Sequence, residues 1–373
     1  MANTLLTPTA ITRKALMILH QKLTFIGNIN RQYDDSFAKS GAKIGDSLKI
    51  RLPNQYVVRN GATLSTQDTA ETSTTLQVAT QKGVDLNFTS VDLTLSLDDF
   101  ADRILEPAMA VLAANIEADA LTMRKDVYNV VDSDAAAITF KNILQGRKAL
   151  NDNLAPQDSN RSVILDTNHE VVLVDALKGL FQDSSAIAKQ YREGMMGRTG
   201  GFDFYASTQM TAHQTGTAAK TTAYLVNGAT QTGVALTVDG GTTTFLAGDI
   251  ITIAGVYRVH PETKVSTGEL QQFVITADSG ATATSLAISP AIVTSGARQN
   301  VSGSPADNAP IVKVGAGASE TYSGSLAFHK DAFTFATADL VMPKGVDFAA
   351  REVYDGISMR VVRQYDINND AFP

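Results

Sequence analysis

The hydrophobic positions near the N-terminus recur with the period of an α-helix. Thr7 and Pro8 suit the N-cap and first turn of a helix, and Gly27 can end it. Between them the apolar residues return every three or four positions, at Ile11, Ala15, Ile18, Leu19, Leu23 and Ile26. This spacing predicts one amphipathic helix. A single helix cannot bury its own apolar stripe, so we expect this one to dock on another surface.

A strand-like pattern with a period of two follows over residues 44–95. Apolar and polar positions alternate in Ser47–Leu52, Thr74–Thr80 and Val84–Thr89. The stretch Asn60–Ser73 between the first two runs is almost entirely polar. The pattern predicts an extended hairpin with a polar tip. Because an isolated two-stranded ribbon is marginally stable in water, we expect it to lie on a neighbour.

The helical period then returns and predicts a long rod. Residues 98–105 form a short predicted helix, and Pro107 suits the first turn of the next one. Its apolar face comprises Met109, Leu112, Ala113, Ile116, Ala120, Met123 and Val127. A helix from 107 to 128 would be about 33 Å long.

Helix and strand patterns alternate in the next part of the chain, which indicates an α+β unit. The predicted helices cover 139–151 and 167–180, the second opened by a capping box at Thr167 and Glu170. The predicted strands are 162–165 and 202–206, and a glycine-rich turn lies at 194–201. Similar segments resume at 325–335, and two strands surround Asp355–Gly356 near the end.

Residues 222–320 have a different composition, rich in Thr and Gly and poor in charge. Short β-type runs recur there at 234–238, 249–253, 270–276, 285–289 and 310–314. Short strands at nearly regular spacing, separated by Gly and Asp turns, are typical of a small barrel or sandwich. We interpret this stretch as an inserted all-β domain.

Composition and charge narrow the possible functions. The chain has 373 residues, a net charge of −7 and no Cys, which excludes disulfide scaffolds, thiolate metal sites and Cys nucleophiles. Residues 1–51 carry 8 basic and 3 acidic side chains, so their net charge is +5 and the remainder carries −12. We found neither a membrane span nor a secretory signal pattern, and we expect no membrane partner.

The search for catalytic chemistry finds no convincing constellation. There is no G-x-S-x-G or H-E-x-x-H motif, and the five His residues are scattered. The run Gly315–Glu320 lacks the third Gly of a dinucleotide loop, and Gly194–Gly201 lacks the Lys-Ser/Thr of a phosphate loop. We therefore predict a protein without enzymatic activity, metal or cofactor.

Basic residues are the remaining candidates for a function. They could form an ordinary solvated face, or they could contact phosphates non-specifically, a neighbouring subunit or a scaffold. The candidates are Arg13, Lys14, Lys22, Arg31, Arg59, Lys82, Arg124 and Lys125.

An arm, a ribbon, a rod and an inserted β domain together suggest a self-assembling structural protein, because such parts gain burial across subunits. Several further segments stand out in order along nearly the whole chain: Arg59–Thr63, Lys82–Asp85, Ser90–Phe100, Gly201–Phe204, Ile253–Tyr257, Ser266–Phe273, Leu326–Phe333 and Gln364–Asn368. In these segments the chain resembles phage major capsid proteins of the P22 coat-protein family.

The resemblance implies an α+β, HK97-like capsid fold with an inserted β-barrel. The implied divisions are the N-terminal arm (1–43), the E-loop hairpin (44–95), the P-domain with its spine helix (96–138), the A-domain (139–221), the I-domain barrel (222–320), the A-domain return (321–340) and the P-domain strands (341–373). The stretch 229–247 is short and nearly uncharged, so the capsomer-bridging loop of the prototype is not carried over. Lys82 lacks the context of self-cross-linking relatives, and we expect association without covalent chemistry.

The implied function is a major capsid protein that forms hexamers and pentamers of an icosahedral head around double-stranded DNA. Its implied partners are its own copies, a scaffolding protein, a portal and the packaged DNA, with assembly in the host cytoplasm and a final location in the virion. The alternatives are an encapsulin-like compartment shell and a β-rich surface adhesin.

Overall fold

The computed structural model describes residues 8–34, 47–59, 61–64, 66–67, 71–77, 80–86, 88–89, 101–132, 137–177, 197–338, 342–346, 348–364 and 371–372. The chain divides into two compact units. Unit 1 comprises Met1–Pro53, Glu71–Ala120 and Lys330–Pro373, and unit 2 comprises Asn54–Ala70 and Leu121–His329.

The described α-helices are α1 (Pro8–Lys22), α2 (Glu106–Leu121), α3 (Phe140–Asp152) and α4 (Thr167–Leu177). The described strands are β1 (Asn30–Asp34), β2 (Ser47–Leu52), β3 (Thr72–Gln77), β4 (Phe88–Thr89), β5 (Arg161–Leu165), β6 (Arg198–Thr199), β7 (Phe202–Ala206), β8 (His213–Gln214), β9 (Thr221–Val226), β10 (Gly233–Asp239), β11 (Ile250–Val259), β12 (Ser266–Ile275), β13 (Ser285–Ile292), β14 (Pro310–Val314), β15 (Thr321–Tyr322), β16 (Leu326–His329), β17 (Thr334–Ala338), β18 (Phe348–Tyr354), β19 (Ile357–Arg363) and β20 (Ala371–Phe372).

The N-terminal helix is confirmed, but its apolar face packs within unit 1. Helix α1 lies against the antiparallel β18–β19 hairpin, and Leu16 and Leu19 are buried. The expectation that this arm finds its burial only on another subunit is therefore wrong for α1. The helix also ends at Lys22 rather than near Ile26, and Ile26–Asn28 form a 3₁₀ turn.

The ribbon at 47–77 is confirmed as a two-stranded antiparallel hairpin. Strands β2 and β3 pair in register from Ser47↔Gln77 to Leu52↔Thr72. The third predicted run does not extend it: only Phe88–Thr89 is a strand among its described residues, and it pairs with β20. A two-residue strand with a distant partner leaves the ribbon two-stranded.

The predicted rod is shorter than expected. Helix α2 has 16 residues, which corresponds to about 24 Å, and it continues as a 3₁₀ helix over Thr122–Asp126. A π-helical turn, Ala101–Leu105, precedes it, and residues 98–100 of the predicted short helix lie outside the described residues. Met109, Leu112 and Ala113 are buried as predicted.

Unit 2 contains a four-stranded sheet in the order β16-β5-β7-β6, in which β5 and β7 are parallel. Helices α3 and α4 supply Ile143 and Leu173 to a buried cluster with Val163, Leu165 and Phe202. The predicted capping box at Thr167 is wrong: Asp166 caps α4, its carboxylate accepting the Asn168 N–H at 3.2 Å. A capping box occurs instead at α3, between Thr139 and Asn142. The predicted end of α4 at 180 lies outside the described residues.

The Thr- and Gly-rich stretch forms a closed six-stranded barrel in the order β10-β13-β12-β11-β14-β9. Its interior is filled by aromatic and β-branched side chains, among them Tyr224, Phe245, Phe273 and Ile311, each fully buried. Sequence patterning predicted five of its strands and missed β9. The chain enters and leaves the barrel through one short antiparallel pair, β8 with β15.

Candidate assembly and nucleic-acid contact residues

Candidate cations on the arm contact acidic residues of unit 1. Arg13 lies 3.7 Å from Glu352, Lys22 lies 3.1 Å from Glu106, and Arg31 lies 2.8 Å from Asp355. Lys14 is partly buried on α1. The arm's excess of positive charge is therefore partly balanced by acidic groups of its own unit.

The Arg31 pair belongs to a cluster that joins α1, β1 and the tip of the β18–β19 hairpin. His20 Nε2 lies 2.9 Å from the same Asp355 oxygen, and the His20 ring meets Tyr354 edge to face at 5.1 Å. Arg31 Nη1 also lies 3.0 Å from His20 Nε2, so the guanidinium, the imidazole nitrogen and the carboxylate meet at one point. The Arg31 side chain is only 14% exposed, compared with 69% for Arg13 and 45% for Lys22.

A buried carboxylate, Glu117, fixes the end of the arm helix. Its two oxygens accept the backbone N–H groups of Thr24 at 2.7 Å and Phe25 at 2.9 Å. In a continuing helix the Thr24 N–H would bond the carbonyl four residues back, so its capture explains why α1 stops early. Burial raises the pKa of Glu117, and the bonds from Phe25 and Thr24 oppose that rise only in part.

The ribbon exposes apolar side chains at its tip and carries a cation that organises it. Val58 is 85% exposed and Leu64 is 77% exposed. The Arg59 guanidinium donates to the carbonyls of Gly61 and Thr63, and the Gln67 side chain bonds both backbone groups of Val57. The tip is therefore shaped by its own polar groups while its apolar groups face solvent.

Lys82 follows the ribbon and is anchored on helix α2. Its ammonium donates to the backbone and side-chain oxygens of Asn115, at 3.1 and 2.7 Å, and lies 3.0 Å from Asp119. Asn115 and Asp119 are one turn apart on α2. Lys82 thus fastens the chain segment after the ribbon to this helix.

The two cations at the end of the 3₁₀ helix have different surroundings. Arg124 donates to the Thr211 carbonyl, and its Nε is buried without a hydrogen-bond partner in the described part of the chain. Burial lowers the pKa of Arg124, which the nearby Tyr322 and Asp166 partly offset. Lys125 is exposed. Of this pair, Lys125 is the one that presents its charge to solvent.

Sequence reasoning missed a charge network that attaches the barrel to helix α3. Arg258 on β11 contacts Asp152 at 2.8 Å and Glu269 at 3.2 Å, and Lys148 contacts the same two carboxylates. The bonds to Lys148 and Arg258 outweigh burial and lower the pKa of Asp152. The Gln272 side chain also bonds both backbone groups of Val130. The pairs that join the barrel to α3, Arg258–Asp152 and Lys148–Glu269, are more than 100 residues apart in the sequence, and no local signal connects them.

A second missed cluster lies where the barrel joins the β8–β15 strand pair. Asp249 is buried and contacts His213 at 3.3 Å while accepting the N–H groups of Gly216 and Leu246. Burial pushes the pKa of Asp249 up, but the His213 bond and the two N–H groups outweigh it, so this pKa lies below its usual value. Lys313 is also buried and donates to the Gly317 carbonyl at 2.6 Å.

The described residues contain no group of three His, Cys, Asp or Glu side chains arranged to hold a metal ion. Within the same residues, no helix combines the length and apolar character needed to cross a bilayer.

The solved structures to which this chain is similar include the following chains. A chain from Mycobacterium phage Che8 is 20% identical over 50% of this chain and 69% of its own length, with a TM-score of 0.36. The CUS-3 coat protein I-domain is 30% identical over 26% of this chain and 96% of its own length, with a TM-score of 0.20. A chain of the bacteriophage PhiM1 mature capsid is 16% identical over 53% of this chain and 64% of its own length, with a TM-score of 0.34.

Among curated proteins, none matches the chain. The family model described as P22 coat protein, gene protein 5, matches residues 21–371, which is nearly the full length. The resemblance predicted from the sequence motifs is thereby confirmed. The chain belongs to the P22 coat protein family and is a structural major capsid protein of a bacteriophage.

Proposed function

We propose that copies of this chain, in an HK97-like arrangement, form the hexamers and pentamers of an icosahedral head that encloses double-stranded DNA. In this proposal residues 44–95 are the E-loop, α2 is the spine helix and the six-stranded barrel is the I-domain. The family membership supports a shell built from many copies of the chain. The mechanism is mechanical interlocking without covalent cross-links.

The exposed ribbon is the observation that carries the proposal. The described side chains of β3 are exposed on both faces except for Leu76, which is partly buried. The tip presents Val58 and Leu64 to solvent. A two-stranded ribbon gains little stability by itself, so its preservation as a hairpin is explained by burial against a second subunit.

The apolar face of helix α1 is buried within its own unit and is not available to other molecules. Deleting residues 1–31 would therefore remove core side chains such as Leu16 and Leu19. Among the candidate cations, Arg13 is 69% exposed with a long ion pair, and Lys125 is exposed. Because an exposed pair of this kind contributes little, we propose Arg13 and Lys125 as the cations for a scaffolding protein or for packaged DNA.

Further parts of the proposal follow from the function of a phage shell. A portal and a scaffolding protein act as assembly partners, and the shell assembles in the host cytoplasm before it becomes part of the virion. Packaged DNA, rather than enclosed cargo enzymes, distinguishes this proposal from an encapsulin-like compartment.

The test compares the ribbon tip with a matched position elsewhere. If a neighbouring subunit covers both side chains, the double variant Val58→Ala, Leu64→Ala removes apolar groups whose burial stabilises each inter-subunit contact by up to about 4 kcal/mol. The control is Val234→Ala on β10, where the side chain is 60% exposed. We expect the double variant to raise the protein concentration needed for closed particles in light scattering and electron microscopy, with thermal stability of the unassembled chain unchanged. Normal assembly of the double variant would contradict the interlocking role.

A further inference from the structure

A cavity of about 210 Å³ lies in unit 2, beside the outer part of the β11–β12 hairpin. It is bounded by this hairpin, by the loop that follows β13, and by Tyr128 and Asn153. Among the described residues, its lining comprises three cations, five side-chain amides and one phenol together with apolar groups, and none of these lining residues carries a carboxylate. A lining of this composition presents many hydrogen-bond donors and a positive field.

Lys264 is the cation whose surroundings point most directly to an anion. Its ammonium donates to two backbone carbonyls, Ala297 O at 2.7 Å and Gln299 O at 3.2 Å. These carbonyls hold the side chain in position without neutralising its charge. Burial lowers the pKa of Lys264, as expected for an ammonium removed from water without a carboxylate beside it.

The other charged groups that line the cavity are Arg258 and Arg298. Arg258 is paired with Asp152 and Glu269, neither of which lines the cavity. Arg298 is exposed on the loop after β13. That loop is braced by Asn300, whose side chain bonds Ala291 O and the Val293 N–H. The cations are thus carried on a hairpin and a loop whose backbone geometry is fixed.

Two neutral groups add directional donors. Burial raises the pKa of Tyr128, and its hydrogen bond with the Asn129 side chain and the nearby Arg258 offset that rise only in part, so the hydroxyl stays protonated at neutral pH and can donate a hydrogen bond. Gln271 is only 3% exposed and lines the same cavity, with its amide nitrogen donating to the Gln272 carbonyl. Charged donors combined with a phenol favour an oxyanion that accepts several hydrogen bonds at once.

We propose that this cavity binds a small oxyanion of the phosphate class, held by Lys264 and Arg298 and oriented by Tyr128. The site does not depend on the proposed shell architecture, because every group involved belongs to one unit of one chain. The phosphate group can come from a free ion or from a nucleic-acid backbone, and the two sources are separable by experiment.

The test is a calorimetric titration of inorganic phosphate into the full-length chain, with chloride used to hold the ionic strength constant. We expect saturable binding that weakens at least tenfold in Lys264→Met and several-fold in Tyr128→Phe. Lys141→Met, at an exposed position on α3 that does not line the cavity, should bind phosphate as the unaltered chain does.

Absence of saturable phosphate binding by the unaltered chain, or an equal loss in Lys141→Met, would overturn the proposal. If Lys264→Met does not fold, Arg298→Gln and Tyr128→Phe carry the same comparison. A competition experiment adds a short DNA duplex to the phosphate-bound chain. If the duplex displaces phosphate from the unaltered chain but not from Arg298→Gln, the natural source is the nucleic-acid backbone. If phosphate stays bound, the source is the free ion.

Discussion

Replacing Glu117 with Gln should weaken the attachment of the end of helix α1 to helix α2 within unit 1. The carboxylate accepts two backbone N–H groups, from Thr24 and Phe25, and it is 3% exposed. A Gln side chain keeps one oxygen for one N–H but turns an amide NH₂ toward the other. Losing one buried acceptor and weakening the second costs roughly 2 kcal/mol, since each such change is worth about 1–3 kcal/mol.

The pH dependence of this variant has a defined sign. Because the pKa of Glu117 is raised in the folded chain, its contribution to stability is fully present below the unfolded pKa and is lost as the pH rises through the folded pKa. Gln does not titrate there. The cost of Glu117→Gln should therefore be largest in acid, near the unfolded pKa, and should shrink toward neutral pH.

Amide hydrogen exchange measured by mass spectrometry over residues 10–28 is a suitable assay, because it reports on this region of the intact chain. A loss of about 2 kcal/mol corresponds to roughly thirtyfold faster exchange where local opening governs the rate. The matched control is Glu106→Gln on the same helix, which removes only the exposed pair with Lys22 and should cost at most about 0.5 kcal/mol. Equal effects of the two variants, or a cost of Glu117→Gln that grows with pH, would refute the reasoning.

Two further predictions concern the barrel. Gly216→Ala would place its Cβ 2.2 Å from the Thr244 carbonyl oxygen, so we expect the melting temperature to fall by at least several degrees. The control is Gly280→Ala, where nothing lies within 4 Å of the added Cβ and the melting temperature should stay nearly unchanged. Equal melting temperatures of the two variants would contradict this prediction. Asp249→Asn removes a buried charge whose pKa is lowered, so its contribution to stability is present above the unfolded pKa and is lost as the pH falls through the folded pKa. Urea unfolding should show the variant destabilised at pH 7 by about 1–3 kcal/mol, with a smaller difference in acid; a difference that persists unchanged at low pH would show that ionisation of Asp249 is not responsible.

The elements that local pattern can specify were largely predictable. The stripe of α1, the alternation of β2 and the turn at Asp355–Gly356 each follow from neighbouring residues, and the barrel follows from its repeated short strands. The end of α1 was not predictable, because it depends on Glu117, a residue more than 90 positions away. Strand β9 was missed although its residues Tyr224 and Val226 are fully buried, since the flanking Thr and Ala residues obscure the pattern.

The candidate cations illustrate a similar limit. The sequence locates the basic residues, but the groups that they contact lie far away in the chain. These groups are Glu352 and Asp355 for the arm, and Asn115 for Lys82. In strand β14, Lys313 is buried on the same side as Ile311, whereas Val312 faces outward. A hydrophobicity pattern would assign the opposite orientation, because it expects a Lys side chain to face solvent. Whether Arg13, Lys125 or the remaining candidates contact other molecules stays a prediction.

The short pair of strands β8 and β15 has an evolutionary consequence. Thr215 N bonds Glu320 O at 2.9 Å, so the two points at which the chain departs for the barrel and comes back are adjacent. A gene segment encoding the barrel can therefore be acquired, exchanged or lost between these points in one recombination event without rerouting strands β5, β7 and β16. The same adjacency offers a place to graft a foreign module whose own ends lie close together.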